Sequence, residues 1–314
     1  MTRFAHLKAR PRQAQKTYLR IPIKKCHKRL KMSIPLCLRS EGEACVNLED
    51  AVNIRVIPLQ TYEPEMVVAL DNVLLEGIEA QKAPPTLIYY RWKGKTISLS
   101  YAQSIEDVHL DKVREHGYTL VRMPSGGDAV FHHDTHDFSY TLIMPKHALP
   151  LPNLNNPLHV YEHLCAKIVN ALDEIGIPAR VDQKSGVYVG NTKVCGNASR
   201  LTSKSVLLQG IILHKKSEDS RVHTMLDIMT RYSQQDYAEL RNLLSGLDAY
   251  APQVSVKTII THLTRSLTNN AYTIGSLTKE EQTKAQKLYN QYKRNPLQTK
   301  GSKLRGLCWL SRRE

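Results

Sequence analysis

Between Met1 and Ser40 the chain has no aspartate or glutamate, against twelve lysines and arginines. That segment holds most of the +15 net charge and leaves the rest of the chain at only +3, too little to mark the folded part as a nucleic-acid binder. Long apolar runs are missing too: none approaches the roughly 20 residues of a membrane-spanning helix. The six cysteines, Cys26, Cys37, Cys45, Cys165, Cys195 and Cys308, include no Cys-x-x-Cys pair, and no secretory signal precedes them. Neither a disulfide scaffold nor a thiolate zinc site is expected, and the surroundings should be reduced and cytosol-like, with the mitochondrial matrix as the alternative. No internal repeat or low-complexity tract occurs. What remains is globular composition, 41% hydrophobic and 23% charged over 314 residues, enough chain to bury a sizeable core.

The basic arm has three readings that its residues leave open. It is a disordered or over-extended N-terminus with Met32 as an alternative start, a mitochondrial presequence, or an arm that binds nucleic acid or an acidic partner. The lack of acids fits a presequence, but the lysine bias and few serines do not. The scarcity of aromatics weighs against nucleic acid. The expected organisation is a basic extension over 1–45, one folded domain over 46–300 and a basic tail over 301–314.

Within the domain, Met66, Leu70, Val73, Leu74 and Ile78 form one helical stripe that should pack on a sheet. TLIYYRW and TISLSY read as two strands turning at Lys93-Gly94-Lys95, and DVHLDKVREHGY as a short helix stopped near Gly117. TLVRMPS and DAVFHH flank Gly126-Gly127, and FSYTLIM follows as another strand. Leu158, Tyr161, Cys165, Ile168 and Leu172 mark an amphipathic helix, after which GVYVGNTKVCGNASR and SVLLQGIILH read as two strands joined by a polar turn. From Ser217 onward the pattern is helical, and the last helix opens with a capping box, Thr278 to Glu281. Strands gathered centrally between helices predict an α+β fold with a mixed, largely antiparallel sheet flanked by helices, not alternating βαβ units.

Two segments carry candidate chemistry. Glycines between strands let backbone N–H groups approach an anion, and Arg122 adds a fork for phosphate or carboxylate; Gly126-Gly127 is equally readable as a plain hairpin turn. Lys193, between Gly190 and Gly196 and ahead of Asn197, Ala198 and Ser199, is either a point charge for an anionic ligand or a solvated edge-strand lysine. The cluster His132, His133, Asp134, His136 and Asp137 has metal-ligating types, yet such loop groups are commonly solvated pairs, and no metal site is assigned to it.

Together these segments resemble the lipoate-protein ligase and octanoyltransferase family. R-x-x-S/T-G-G-x-A-V-x-H runs from Arg122 to His132, and K-V-x-G-x-A from Lys193 to Ala198, with Gly190 ahead of it. The likeness extends to MVVALDNVLLEGI, PPTLIYYRW, EHGYTLVR and the terminal helix, covering most of Ile54 to about Arg294. It implies the class II synthetase-like fold shared with biotin ligases, and ATP-dependent ligation of lipoate or octanoate, through an acyl-adenylate, to a lysine of an acceptor domain. ATP and Mg2+ are the implied cofactors. The implied acceptors are lipoyl domains of 2-oxoacid dehydrogenase complexes or the glycine-cleavage H protein, with a separate accessory subunit as a further partner; no membrane or nucleic-acid partner is expected. By the resemblance Lys193 is catalytic, binding the acyl carboxyl and the α-phosphate. Arg122, Ser125, Gly126, Gly127, Asp128, Ala129, Val130, Phe131, His132, Gly196, Asn197 and Ala198 then line the acyl group and nucleotide. The chemistry fits, because a carboxylate is a poor electrophile until adenylated, and a lysine with backbone donors stabilises charge developing on the phosphate.

The chain departs from the pattern in three places. Met123 stands where such ligases commonly carry a second arginine, and Asp128 where they favour glycine or a neutral residue. A carboxylate there repels a triphosphate unless magnesium or Arg122 compensates. The transferase branch forms an acyl-enzyme on cysteine, which has no counterpart in PARVDQKSGVYVG or MLDIMTRY. Cys195, two residues from Lys193, is either that nucleophile or a small buried core residue. Adenylation is preferred, with transfer through Cys195, or a non-catalytic paralogue that only holds a lipoyl domain, as alternatives.

Overall fold

The computed structural model describes residues 52–297 apart from 152, 183–185, 217–218 and 244–245. The basic arm, the basic tail, and Cys26, Cys37, Cys45 and Cys308 lie outside the described residues. The elements in chain order are β1 (Ile54–Tyr62), α1 (Pro64–Glu79), β2 (Thr86–Trp92), β3 (Lys95–Leu99), α2 (Leu110–Glu115), β4 (Thr119–Arg122), β5 (Val130–His133), β6 (Asp137–Pro145), α3 (Pro157–Asp173), β7 (Arg180–Asp182), β8 (Gly186–Val189), β9 (Thr192–Leu201), β10 (Ser205–Leu213), α4 (Asp219–Ile228), α5 (Tyr237–Leu243), α6 (Val256–Leu267), β11 (Tyr272–Ile274) and α7 (Lys279–Arg294). No described helix is long and apolar enough to cross a membrane.

Eight strands form one sheet in the order β11-β1-β2-β6-β10-β9-β8-β7, and β4-β3-β5 form a second. From β2 to β7 every pairing is antiparallel, whereas β1 runs parallel to both β2 and β11. This is the α+β, mixed and largely antiparallel arrangement expected. Strand alternation assigns the faces of the large sheet. Leu87 and Tyr89 of β2, Phe138, Tyr140 and Leu142 of β6, and Val206, Leu208 and Ile212 of β10 pack with α3 and α6. Ile88, Tyr90, Trp92, Ile143 and Leu207 face the other way, onto α1 and α7. The α1 stripe buries Leu70, Val73, Leu74 and Ile78 there, while α3 buries Tyr161, Cys165, Ile168 and Leu172 on the opposite face. The small sheet packs Ile97, Leu99, Leu120 and Phe131 with Val113 of α2 and Val222, Met225, Leu226 and Ile228 of α4. At α7 the capping box forms as expected, with Thr278 Oγ1 accepting from Glu281 N–H and the Glu281 carboxylate from Thr278 N–H.

Pairing departs from the sequence reading in several places. TLIYYRW and TISLSY are not a hairpin, because β2 joins the large sheet and β3 the small one. The strands on either side of Gly126-Gly127 are not partners either: β4 and β5 lie on opposite edges of β3, the first parallel and the second antiparallel. The glycine pair therefore sits in a loop that crosses the end of β3. GVYVGNTKVCGNASR is two strands, β8 and β9, folded back at Gly190, whose φ of 56° favours glycine. Finally, β11 interrupts the C-terminal helices to add an edge strand beside β1.

Candidate active site

Beyond the end of the β3-crossing loop, the two sheets enclose a cavity. One wall is formed by the four central strands of the large sheet: Tyr90 and Trp92 of β2, Ser139 of β6, Gln209 to Ile211 of β10, and Lys193 with Gly196 to Ala198 of β9. The other wall is Ser98 to Ser100, Met123, the loop Ser125 to Ala129, and Val130 and His132 of β5. The start of the loop is tied down twice: Tyr101 N–H donates to Ser125 O at 2.8 Å and Arg200 Nη1 to Pro124 O at 3.0 Å. It also lies against β9, since Gly126 N–H reaches Ser199 O at 3.4 Å and a Cβ on Gly127 would stand 3.5 Å from Ala198 Cβ. Gly127 has φ 98°, a conformation that an L side chain resists.

Of the residues singled out from sequence, Ser125, Gly126, Gly127, Asp128, Ala129, Val130, His132, Lys193, Gly196, Asn197 and Ala198 line this cavity together, although about 60 residues separate the two motifs. Arg122 and Phe131 do not. The Arg122 guanidinium is spent on main chain, donating to Ser100 O at 2.8 Å and Gln103 O at 2.6 Å, so it braces the loop after β3 instead of meeting a ligand. Phe131 points to the far side of the small sheet, edge-on to Tyr118, because alternation along β5 sends its neighbours Val130 and His132 inward and Phe131 outward.

Lys193 lies along the cavity wall: a Cβ on Gly196 would stand 3.3 Å from its Cε and 3.6 Å from its Nζ. Glycine at 196 thus leaves the room that the lysine side chain crosses. Burial lowers the pKa of this ammonium, opposed by Cys195, Asp128 and Asp182. Asp128 is compensated, though not by Arg122. Its Oδ1 accepts from Arg231 Nη1 at 2.9 Å, a partner that no sequence pattern near the motif announces. Asp128 is the one carboxylate among the described lining residues, so a magnesium ion there would have a single protein carboxylate, already held by arginine.

Cys195 is removed from the cavity by a β-bulge. Val187 pairs with Cys195 and Tyr188 with Lys193, which leaves Val194 as an extra residue. The inserted residue breaks the alternation that would place positions 193 and 195 on one face. Val194 and Cys195 both enter the α3-side core, fully buried, and the thiol donates toward Asn197 Oδ1 at 3.4 Å. Burial drives its pKa well above the usual thiol range, and that of Cys165 up to about 12. Both free cysteines among the described residues are thus inert as nucleophiles at neutral pH.

The histidine cluster also divides. His132 turns inward, stacked on Trp92 with ring centroids 4.3 Å apart, and its Nε2 lies 2.9 Å from Ser98 Oγ. Burial lowers its pKa, with Asp137 opposing, so the ring is neutral at pH 7. Asp137 is held by Arg221 Nη2 at 3.3 Å and by His133 N–H at 2.9 Å. His133 and His136 stay at the loop, their Nδ1 atoms 3.2 Å apart. Among the described residues no group of three or more His, Cys, Asp or Glu side chains is arranged to hold a metal ion.

Further lining residues went unread in the sequence. Trp92 donates its indole N–H to Ser139 Oγ at 3.0 Å. Gln209 donates to the buried carboxylate of Asp71 on α1, whose pKa burial pushes up to about 8 against hydrogen bonds from Thr141 and Gln209. Polar residues recurring on the α1-facing side of β2, β6 and β10 were the available signal, since that face is otherwise apolar.

Comparisons with known proteins agree with this geometry. Residues 63–268, about two thirds of the chain, match the lipoyl protein ligase A/B catalytic domain. The octanoyltransferase LipM of Symbiobacterium thermophilum is 28% identical over 168 residues, 46% of this chain and 59% of that protein. That of Moorella thermoacetica is 31% identical over 148 residues, 46% of this chain and 52% of it. The matches thus span little more than half the length of these relatives. The bi-partite lipoate protein ligase of Thermoplasma acidophilum, studied with its E2 lipoyl domain, superposes over 76% of this chain and 92% of its own with TM-score 0.64 at 19% identity. A lipoate-protein ligase A bound with ATP does so over 76% and 94% with TM-score 0.62 at 18% identity. At such identities the superpositions establish a common fold, and the sequence match over the cavity-forming region adds the lineage: the chain belongs to the lipoyl protein ligase A/B catalytic domain family.

Proposed function

We propose that this chain attaches a lipoyl or octanoyl group to a lysine of a lipoyl-acceptor domain, forming the acyl-adenylate from ATP. The observation that carries this reading is the position of Lys193, a half-buried ammonium along glycine at 196, in a cavity whose facing wall is the Ser125–Asp128 loop. A medium-chain acyl group fits against Tyr90, Trp92, Met123 and Ile211, and its carboxyl end would meet Lys193. The ammonium then stabilises charge shared between carboxyl and α-phosphate, a contribution worth about 3–4 kcal/mol for one well-placed donor. The Asp128–Arg231 pair lessens the repulsion that Asp128 would otherwise direct at the phosphates. The acceptors are lipoyl domains of 2-oxoacid dehydrogenase complexes or the glycine-cleavage H protein, whose lysine amine displaces AMP.

Pyrophosphate exchange into ATP, run with lipoate and then with octanoate, tests the adenylation step; no exchange with either acid refutes it. A second reading is transfer of octanoate from a carrier thioester, favoured by the activity named for the relatives. Cys195 does not serve that reading, because it is buried in the core with its thiol protonated.

A further inference from the structure

We propose that Ser98, with His132 as its general base and Asp137 as the residue that positions His132, is a covalent acyl acceptor in this cavity, taking a medium-chain acyl group from a thioester without ATP. The proposal rests on an acyl group occupying the cavity and is independent of adenylation.

The juxtaposition follows from strand register. In the antiparallel pair β3/β5, Thr96 lies opposite His132 and Ser98 opposite Val130. Ser98 and His132 are therefore diagonal neighbours on the cavity-facing side, within reach of each other. Ser98 Oγ lies 2.9 Å from His132 Nε2, and both residues line the cavity. On the other edge of the ring, His132 Nδ1 faces Asp137 Oδ1 at 3.9 Å. Neither of these two buried atoms has a hydrogen-bond partner among the described residues. Asp137 is anchored through its second oxygen by Arg221 and His133 N–H, which leaves Oδ1 directed at the imidazole. A contraction of less than about 1 Å makes the hydrogen bond that selects the Nδ1–H tautomer, and catalytic contacts of this kind tighten when substrate binds. Trp92, stacked on the ring, fixes its plane. A buried serine, a neutral imidazole and a carboxylate in this order are the parts of an activated nucleophile.

The step balances without a further reagent. Ser98 Oγ attacks the acyl carbonyl carbon while its proton passes to His132 Nε2; the C–S bond breaks, and His132 returns the proton to the leaving thiolate. The acceptor lysine, as its neutral amine, then attacks the Ser98 ester. The ester C–O bond breaks, the amide forms, and an amine proton passes through His132 back to Ser98 Oγ. Lys193, the one ammonium among the described residues lining the same cavity, would supply the positive charge for the oxyanion in both halves.

The test uses the full chain in two arms. Incubation with octanoyl-coenzyme A and no ATP should add one octanoyl group, located on Ser98 by peptide mass spectrometry, and a fluorophosphonate should label the same residue. Ser98→Ala should abolish both adducts and His132→Gln should slow labelling at least about 100-fold, with melting temperatures close to that of the unaltered chain. Ser98→Cys should carry octanoate as a hydroxylamine-labile thioester. Adducts on another residue, no adduct in either arm, or thioester-driven transfer unaffected by Ser98→Ala would overturn the proposal. Fluorophosphonate labelling of Ser98 without pyrophosphate exchange would end the ligase reading alone.

Discussion

Gly210 on β10 sits directly opposite Tyr140 on β6, and a Cβ at Gly210 would fall 2.3 Å from two atoms of the Tyr140 ring and 2.4 Å from its hydroxyl. No carbon is tolerated at that distance, so Gly210→Ala must move the ring by more than an ångström. Tyr140 is completely buried and cannot slide into solvent, and its hydroxyl donates to Asn197 Oδ1 at 2.5 Å, in a residue that lines the cavity. Overpacking of this kind costs about 1–3 kcal/mol, and losing a buried hydrogen bond adds about 1 kcal/mol. The sum, roughly 2–4 kcal/mol, corresponds to a fall in Tm of roughly 5–15 °C for a domain of this size. Thermal unfolding followed by circular dichroism reads it, with Tyr140→Phe as the control that removes the hydrogen bond alone and should lose only about a third as much. Acyl transfer should fall along with Tm, because Asn197 Oδ1 loses the shorter of its two hydrogen bonds and keeps only that from the Cys195 thiol. A Gly210→Ala melting point within about 2 °C of the unaltered chain would refute the reasoning, since it would mean that Tyr140 has space the structure does not provide.

Lys193→Ala should lower acyl transfer to a lipoyl domain by about 100–1,000-fold while leaving the melting curve nearly unchanged; a smaller loss with a folded variant removes Lys193 from the chemistry. Arg231→Ala leaves Asp128 uncompensated, so nucleotide affinity measured by calorimetry should drop, and adding Asp128→Gly should restore it; a double variant as weak as the single one shows that Arg231 acts otherwise. Stability should change by less than about 1 kcal/mol in that pair, because it is solvent-exposed. Asp71 carries a pH signature: its folded pKa of about 8 lies above the unfolded value of roughly 4, so its contribution is complete below pH 4 and is lost as pH rises through 8. Tm should therefore fall between pH 5 and 9 by an amount that Asp71→Asn largely removes, and an unaltered slope in that variant would exclude Asp71 as its source.

The sequence by itself determined much of the local structure. The stripes of α1 and α3, the capping box of α7 and the alternation along β2, β6 and β10 are written in residues a few positions apart, and local spacing is sufficient to assign such faces. The two motifs likewise name half of the cavity wall, because Gly127 and Gly196 are required by backbone conformation and by the passage of the Lys193 side chain. Partner choice was decided only by the tertiary structure. That β3 leaves its apparent hairpin, that Arg122 is consumed by main-chain carbonyls, that Arg231 arrives beside Asp128 from 103 residues away, and that a bulge at Val194 buries Cys195 are outcomes of pairing between distant segments. The same holds for Ser98 and His132, which are 34 residues apart. Periodicity fixes which way a side chain faces along its own strand, whereas which strand lies beside it depends on burying the whole apolar surface at once, and that energy is summed over the entire domain.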